Sequence, residues 1–397
     1  MNKKIVKFEV IIVILLCILR SSIYNFPGYV YEEFIKYTLI LLYVIFFTIV
    51  ILNMKNLSPF SLVFAIIYFL DDEYKNNYVG TFVTMTLILF FQIRSNKIRI
   101  VFYKILYNFI YYICFFSIIE YLFYILGKYK IVSIIQVENK VQSGFYYVVG
   151  FFNSYLVNLS TDFELKRMLS IFNEPGSFGS LIGILLLFTD LRKNKMKNLI
   201  MILCGILTFS TAFFYFICLK IFIENIRNLK KMIICIILII GLSFSIILAP
   251  EKYNSNMPQV YVHTVYKLKR ITMKLIDGNG FRSTESDRNE IKKFYEKGNI
   301  ILGNRKRGQF LDTYNIHLLI YEGGIIKLFF TIFIIIIISK IYKIKNKKVK
   351  ILFFIGLTTI FQRPNLLEGI NLMLFFSGPY YYYNLLNKKN INILLRS

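Results

Sequence analysis

The chain has 397 residues, of which 56% are hydrophobic, 18% aromatic and 18% charged. Soluble chains average about 25% charged residues and do not need apolar runs near 20 residues, which recur here from end to end, so a soluble globular enzyme is excluded. The formal net charge of +26 would suggest nucleic acid in a soluble protein. Here the positive residues gather mainly in short stretches between apolar segments, the pattern that orients a membrane protein, so no nucleic-acid partner is expected.

The N-terminus, MNKKIVKFEVIIVILLCILRSS, joins a basic start to a short apolar run. A cleaved leader competes with a retained helix. No small-x-small cleavage pattern follows and Arg20 interrupts the boundary, so a retained first helix is expected. Further apolar segments lie near residues 37–53, 57–70, 78–93, 105–126, 176–189, 198–223, 232–249, 313–339, 350–361 and 366–386. Several are shorter than the roughly 20 residues that span a bilayer, so they must borrow flanking polar residues or cross a thinned region.

Lysine and arginine collect at Lys3, Lys4 and Lys7, at Lys55, at Arg94, Lys97 and Arg99, and across 192–197, 227–231, 340–350 and 388–389. Placing every cluster on the cytoplasmic side puts both termini there as well. Counting 198–223 as a single pass would put the lysine-dense 340–350 stretch outside. A split at Phe209-Ser210-Thr211-Ala212, giving two short passes or a re-entrant pair, restores it. The expected fold is therefore all-α: one polytopic membrane domain over residues 1–397 with about 12 crossings. Backbone breaks at membrane depth occur where protein covers them or a wet cavity receives them, so Ser210 and Thr211 either border a site or simply bond backbone at a tight turn.

Two long outer loops remain, 127–175 and 250–312, and chemistry is expected on them. The five cysteines all lie inside apolar runs, with no CxxC pair, and read as small buried hydrophobes. The only histidines, His263 and His317, have no thiol cluster near them, so no metal or other cofactor is expected. Asp71-Asp72-Glu73 reads as a solvated acidic turn, His263 as a packing residue, and Tyr380 to Tyr383 as an aromatic belt at the membrane boundary.

The first loop ends in Lys166-Arg167-Met168-Leu169-Ser170-Ile171-Phe172-Asn173-Glu174-Pro175-Gly176-Ser177-Phe178-Gly179, directly before an apolar helix. Pro175 suits the first turn of that helix, whose N-terminal N–H groups could hold a phosphate with Arg167 nearby in sequence. Glu174 either serves as a general base or caps the helix and pairs with Arg167.

The pattern R-x-x-S-x-F-x-E-P-x-x-F-G, formed by Arg167, Ser170, Phe172, Glu174, Pro175, Phe178 and Gly179, resembles the Wzy-type oligosaccharide repeat-unit polymerases. These belong with the O-antigen ligases in one superfamily. Arg282, Arg288, Gly303, Asn315-Ile316-His317 and Glu322-Gly323-Gly324-Ile325-Ile326 follow in the order that superfamily uses. Gly176-Ser177 stands where the family commonly has Ser directly after Pro, and Tyr314-Asn315, with His317 two residues on, replaces the usual His-Asn pair.

The resemblance implies a GT-C-like membrane glycosyltransferase, active at the outer face of the cytoplasmic membrane, that joins repeat units carried on undecaprenyl pyrophosphate into surface polysaccharide. It also implies membrane lipids, a flippase and a chain-length regulator as partners. A pyrophosphate leaving group needs cationic neutralisation without requiring a metal, and guanidinium groups supply it. Arg167, Arg282, Arg288, Arg305, Arg307 and Arg363 are the candidates, with Asn315 a further substrate-binding residue. Arg363 sits beside Pro364 in a short outer turn and is equally readable as an interfacial anchor. His317 either takes a proton from the acceptor hydroxyl or hydrogen-bonds at the membrane boundary.

Two rival functions stand beside the polymerase. An O-antigen-type ligase shares the donor but should carry a clean His-Asn turn. A lipid-linked oligosaccharide flippase should show internal repeats and charges inside its helices.

Overall fold

The computed structural model describes residues 3–22, 32–52, 78–93, 95–126, 133–139, 142–148, 154–158, 167–168, 170, 172, 175–208, 210–225, 285–304, 316–358 and 369–394. These residues are mostly helical, as the apolar runs require. In chain order the helices are α1 (Lys3–Ser22), α2 (Glu32–Leu52), α3 (Tyr78–Ile93), α4 (Asn96–Ile125), α5 (Pro175–Leu187), α6 (Lys195–Leu207), α7 (Thr211–Asn225), α8 (Glu285–Lys297), α9 (Ile316–Ser339), α10 (Lys347–Leu357) and α11 (Gly369–Leu394). The expected segments 57–70 and 232–249 lie outside the described residues.

The stretch expected as the first outer loop contains a feature that apolar periodicity did not announce. Strands β1 (Ser133–Asn139), β2 (Gln142–Val148), β3 (Ser154–Asn158) and β4 (Arg167–Met168) form one antiparallel sheet in chain order. Ser133 pairs with Val148, Gly144 with Asn158 and Leu156 with Arg167. The start of the Arg167–Gly179 motif is thus the edge strand of a sheet, and β4 also packs against α6.

Among the described residues one helix, Asn96–Phe123, is long and apolar enough to cross a bilayer by length and composition. Three shorter apolar helices, Ile40–Leu52, Gly176–Leu187 and Gly323–Ser339, accompany it. The described helices by themselves therefore do not amount to 12 crossings. Large apolar side chains nevertheless face outward, among them Phe115, Phe116 and Leu122 on α4, Leu203 on α6, and Phe329 and Phe333 on α9.

Helix α11 is the hub of the packing, touching α1, α3, α4, α5, α9 and α10, and residues 372–380 are all buried. Two cations reach this interior. Arg99 is completely buried; Nη1 donates to Phe376 O at 2.9 Å and to Ser339 O at 3.5 Å, and Nη2 donates to Phe91 O at 2.7 Å and to Ile338 O at 3.0 Å. These carbonyls belong to the last turns of α3 and α9, where the helix dipole is negative, and to the turn of α11 just before Pro379. Arg99 is therefore not a solvated loop charge as the sequence suggested: α4 begins nine residues earlier than expected and takes it into the bundle.

Lys220, also completely buried, lies 3.0 Å from Glu224 Oε1 and 3.9 Å from the centroid of the Tyr382 ring. Tyr382 Oη donates to the same carboxylate oxygen at 3.2 Å. Tyr380 donates to Lys340 O at 3.2 Å, and Tyr381 stacks on Tyr103 at 4.5 Å. The tyrosine run expected as a boundary belt is instead largely interior, because its hydroxyls and rings serve these buried charges. Among the cysteines, Cys114 and Cys204 are buried as expected, whereas Cys218 is exposed.

Candidate functional site

The expected break in segment 198–223 is present. α6 ends at Leu207, α7 begins at Thr211, and Thr208 and Ser210 lie between them. Thr208 answers its own helix by donating to Gly205 O at 2.7 Å. Ser210 reaches across to α5 and donates to Gly176 O at 3.4 Å, the carbonyl that also accepts from Ser180 Oγ at 2.7 Å. The break therefore lies against the first turn of α5, inside the motif that begins at Arg167.

Gly179 makes that approach possible. A Cβ built on it would stand 2.3 Å from Ser210 Cβ and 2.5 Å from Thr208 Oγ1, closer than real atoms pack. The glycine of the pattern is thus explained by steric need. α5 and α7 meet over the same face, where Gly183 lies against Phe216.

Upstream, each described motif residue is anchored. Met168 is fully buried, its Sδ accepting from Cys204 Sγ at 3.3 Å. Ser170 holds a left-handed backbone, φ 56°, and accepts from Ser117 Oγ of α4 at 2.9 Å. Phe172 stacks on Phe178 with centroids 4.9 Å apart and planes 16° from parallel, both rings buried. Hydrophobic rings flanking a helix start fix the angle at which the chain enters it, as in a hydrophobic staple. Pro175 takes the first position of α5, as expected.

Glu174 itself, with Asn173, lies outside the described residues. In sequence it stands between Phe172 and Pro175, both of which are placed. Arg167 is on β4 and only its backbone is described.

The stretch expected as the second outer loop is organised, where described, around another helix break. Gly324, φ 71° and ψ −177°, interrupts α9 and frees the hydrogen bonds of one turn. Tyr321 O, which would have accepted from Ile325 N, accepts from Asn304 N at 2.6 Å. Ile325 N donates instead to Ile300 O at 2.9 Å, and Ile326 N to Ile301 O at 3.4 Å. The turn 298–304 thus substitutes for the missing helical partners, which satisfies backbone groups that burial would otherwise penalise.

Side chains tighten this docking. Asn304 Nδ2 donates to Tyr321 Oη at 3.1 Å, and Phe294 of α8 lies 5.0 Å from the Tyr321 ring. Asn299 Oδ1 accepts from the N–H groups of Ile301 and Leu302, each at 3.1 Å. Gly303, φ 71°, closes the turn. Gly303 and the Glu322–Ile326 motif, 19 or more positions apart in sequence, therefore belong to one backbone exchange.

His317 is in the first turn of α9, one turn before Tyr321, and Arg288 is on α8; the backbone of each is placed. Arg282, Arg305, Arg307, Asn315 and Arg363 lie outside the described residues, as do His263 and the Asp71-Asp72-Glu73 turn. The two anchored groups occupy different helix pairs, α5–α7 and α8–α9, with α11 packed against both α5 and α9. Among the described residues no group of three or more His, Cys, Asp and Glu could hold a metal.

Comparison of the chain with family models, with curated proteins and with solved structures finds no match.

Sequence reasoning missed Ser117, because nothing local marks a serine 53 residues upstream as the partner of Ser170. It also missed the exchange between Asn304 and Tyr321. The Lys220–Glu224 pair had a readable signal, opposite charges four apart on one helix, within an otherwise apolar run.

Proposed function

We propose that the chain is a membrane glycosyltransferase of the polymerase type, acting on oligosaccharide repeat units carried on undecaprenyl pyrophosphate at the outer face of the cytoplasmic membrane. The observation that carries this reading is the anchoring of the Arg167–Gly179 stretch. Ser170, Phe172, Phe178 and Gly179 each have a defined structural job, and together they brace the backbone on both sides of Glu174. A carboxylate between braced residues at a helix start suits a positioned base, since catalytic groups need rigid supports.

A multi-pass membrane location, with about 12 crossings and both termini cytoplasmic, is supported by the charge pattern and by outward-facing Phe and Leu around an interior that holds Arg99 and Lys220. The GT-C-like fold belongs to this proposal too.

In the proposed reaction, arginines from Arg167, Arg282, Arg288, Arg305, Arg307 and Arg363 neutralise the donor pyrophosphate, with Asn315 assisting in substrate binding. Glu174 takes the proton of the acceptor sugar hydroxyl as its oxygen attacks the anomeric carbon; His317 is the second candidate for this base. The new C–O bond forms as the bond to pyrophosphate breaks, so the lipid pyrophosphate leaves and the anomeric carbon inverts.

The test is the repeat-unit ladder of surface polysaccharide in the intact strain, in a deletion, and in the deletion complemented with Arg167→Ala or Glu174→Gln. The deletion should collapse the ladder to one repeat, and neither variant should restore it. Full restoration by both variants sinks the site. Polymer left on its lipid carrier would point to a ligase, and absence of repeats from the outer face to transport.

A further inference from the structure

A group of cations outside the proposed site lies at the end of the bundle where α3 stops, α4 starts and α9 stops. Lys340 follows the last residue of α9 in a left-handed conformation, φ 51°, uncommon for a residue with a side chain. Three contacts hold it. Tyr380 Oη donates to Lys340 O at 3.2 Å, Lys340 N donates to Ile337 O at 3.0 Å, and Lys340 Nζ reaches Gln92 O at 3.5 Å. The constrained backbone thus directs an ammonium group to the junction with α3.

Other cations converge on it. Arg99 lies beneath, 5.2 Å from the centroid of the Tyr380 ring, with its Nη donors already used by carbonyls of this junction. Lys343 stands 5.9 Å from the Tyr342 ring centroid and is exposed, as are Tyr342 itself and Lys97 in the first turn of α4. Asn346 caps α10 with its side chain, and Lys345 and Lys347 flank it in sequence, both exposed. Neither Lys340 nor Lys343 is in an ion pair with a described residue. Burial, and then the Arg99 and Lys343 cations, push the Lys340 ammonium below its ordinary range. Like charges gathered without an ion-pair partner leave Lys340 and Lys343 open to a counter-charge.

From this junction we infer a docking site for the phosphate of an anionic phospholipid headgroup, held by Lys97, Lys340 and Lys343, with Lys345 and Lys347 at its rim. The occupant is a lipid because the cluster sits where apolar helices end, and Tyr342 is an exposed aromatic side chain at that level. The site rests on the membrane part of the proposed function and not on glycosyl transfer.

The experiment is a titration of the purified full-length protein in mild detergent with phosphatidylglycerol, phosphatidylcholine or inorganic phosphate, read by native mass spectrometry. Phosphatidylglycerol should be retained in preference to phosphatidylcholine, and the combined Lys97→Gln, Lys343→Gln, Lys345→Gln and Lys347→Gln variant should lose that preference by roughly fivefold per lysine. The matching Lys→Arg variant should keep it, and its melting temperature controls for folding. Equal retention of both lipids by the unaltered protein overturns the site, as does full retention of phosphatidylglycerol by the Gln variant. Capture of inorganic phosphate with the same dependence on these lysines overturns the lipid as occupant. No sugar transfer is read, so failure of the polymerase reading leaves this result intact; failure of the membrane reading would appear separately, as release of the chain by alkaline carbonate.

Discussion

Ser117 of α4 donates its hydroxyl to Ser170 Oγ at 2.9 Å, and Ser170 accepts it while holding a left-handed backbone. This bond ties the longest apolar helix to the motif that precedes Glu174. A buried hydrogen bond of this kind contributes about 1 kcal/mol. Ser117→Ala should lower stability by about that amount, measured by thermal unfolding in detergent. On the proposed function it should also shorten the polysaccharide ladder, although Ser117 touches no substrate. An unchanged ladder would mean that the brace is not needed for activity.

Gly179→Ala places a methyl group inside the van der Waals radii of Ser210 and Thr208. Overpacking of this sort costs typically about 1–3 kcal/mol. Removing the nearest obstacle with Ser210→Gly should recover part of the loss in the double variant, because the two sites share one contact. Strict additivity of the two effects on the melting temperature would show that the helices do not meet there.

Gly324→Ala should behave differently. The positive φ opposes any side chain, and the added Cβ would stand 2.0 Å from Ile301 O, a backbone atom. No single side-chain change elsewhere can relieve it. The expected outcome is undocking of 298–304 from α9, seen as faster proteolysis between α8 and α9, with a cost of at least about 1–3 kcal/mol.

The Lys220–Glu224 pair should show the asymmetry of buried charges. Glu224→Gln leaves Lys220 without its counter-charge beside Tyr382 and should cost about 3–5 kcal/mol. Replacing both by methionine should cost far less. Yields of folded protein after detergent extraction distinguish the two, and equal losses would show that the charges matter for more than each other.

Arg99→Lys should fail where a merely positive residue would suffice. One ammonium cannot span carbonyls on α3, α9 and α11 as the guanidinium fork does. Hydrogen bonds to charged groups contribute about 1.5–3 kcal/mol each, so Arg99→Lys should lower the melting temperature strongly. A melting temperature within a degree or two of the unaltered protein would remove Arg99 from the clamp.

Several elements were legible from local signals. Basic clusters bracket apolar runs, and the break at Ser210 follows from counting charges, since one crossing too few would put the 340–350 lysines on the wrong side. Pro175 announces the start of α5. The sheet over residues 133–168 was not legible, because its strands lie in a loop whose pairing depends on partners up to 15 residues away, as between Ser133 and Val148. Tyr380 to Tyr383 misled because a tyrosine run fits a membrane boundary and a polar-lined interior equally well; only the neighbours Lys340 and Glu224 distinguish them.

The candidate site divides along the same line. Arg167, Glu174 and His317 were named by residue type and order, which local sequence carries. Why Gly179 is a glycine, why Ser170 bends its backbone and why Gly324 interrupts α9 were decided by Ser210, Ser117 and Ile301 arriving from elsewhere in the chain. The sequence by itself determined an apolar helical chain with basic clusters between its helices and a proline-led helix start at Pro175, because hydrophobicity, charge and backbone preference act residue by residue. The tertiary structure alone decided which helix ends meet and which buried cations they share, because the free energy of close packing and of a buried charge depends on neighbours that no stretch of sequence contains.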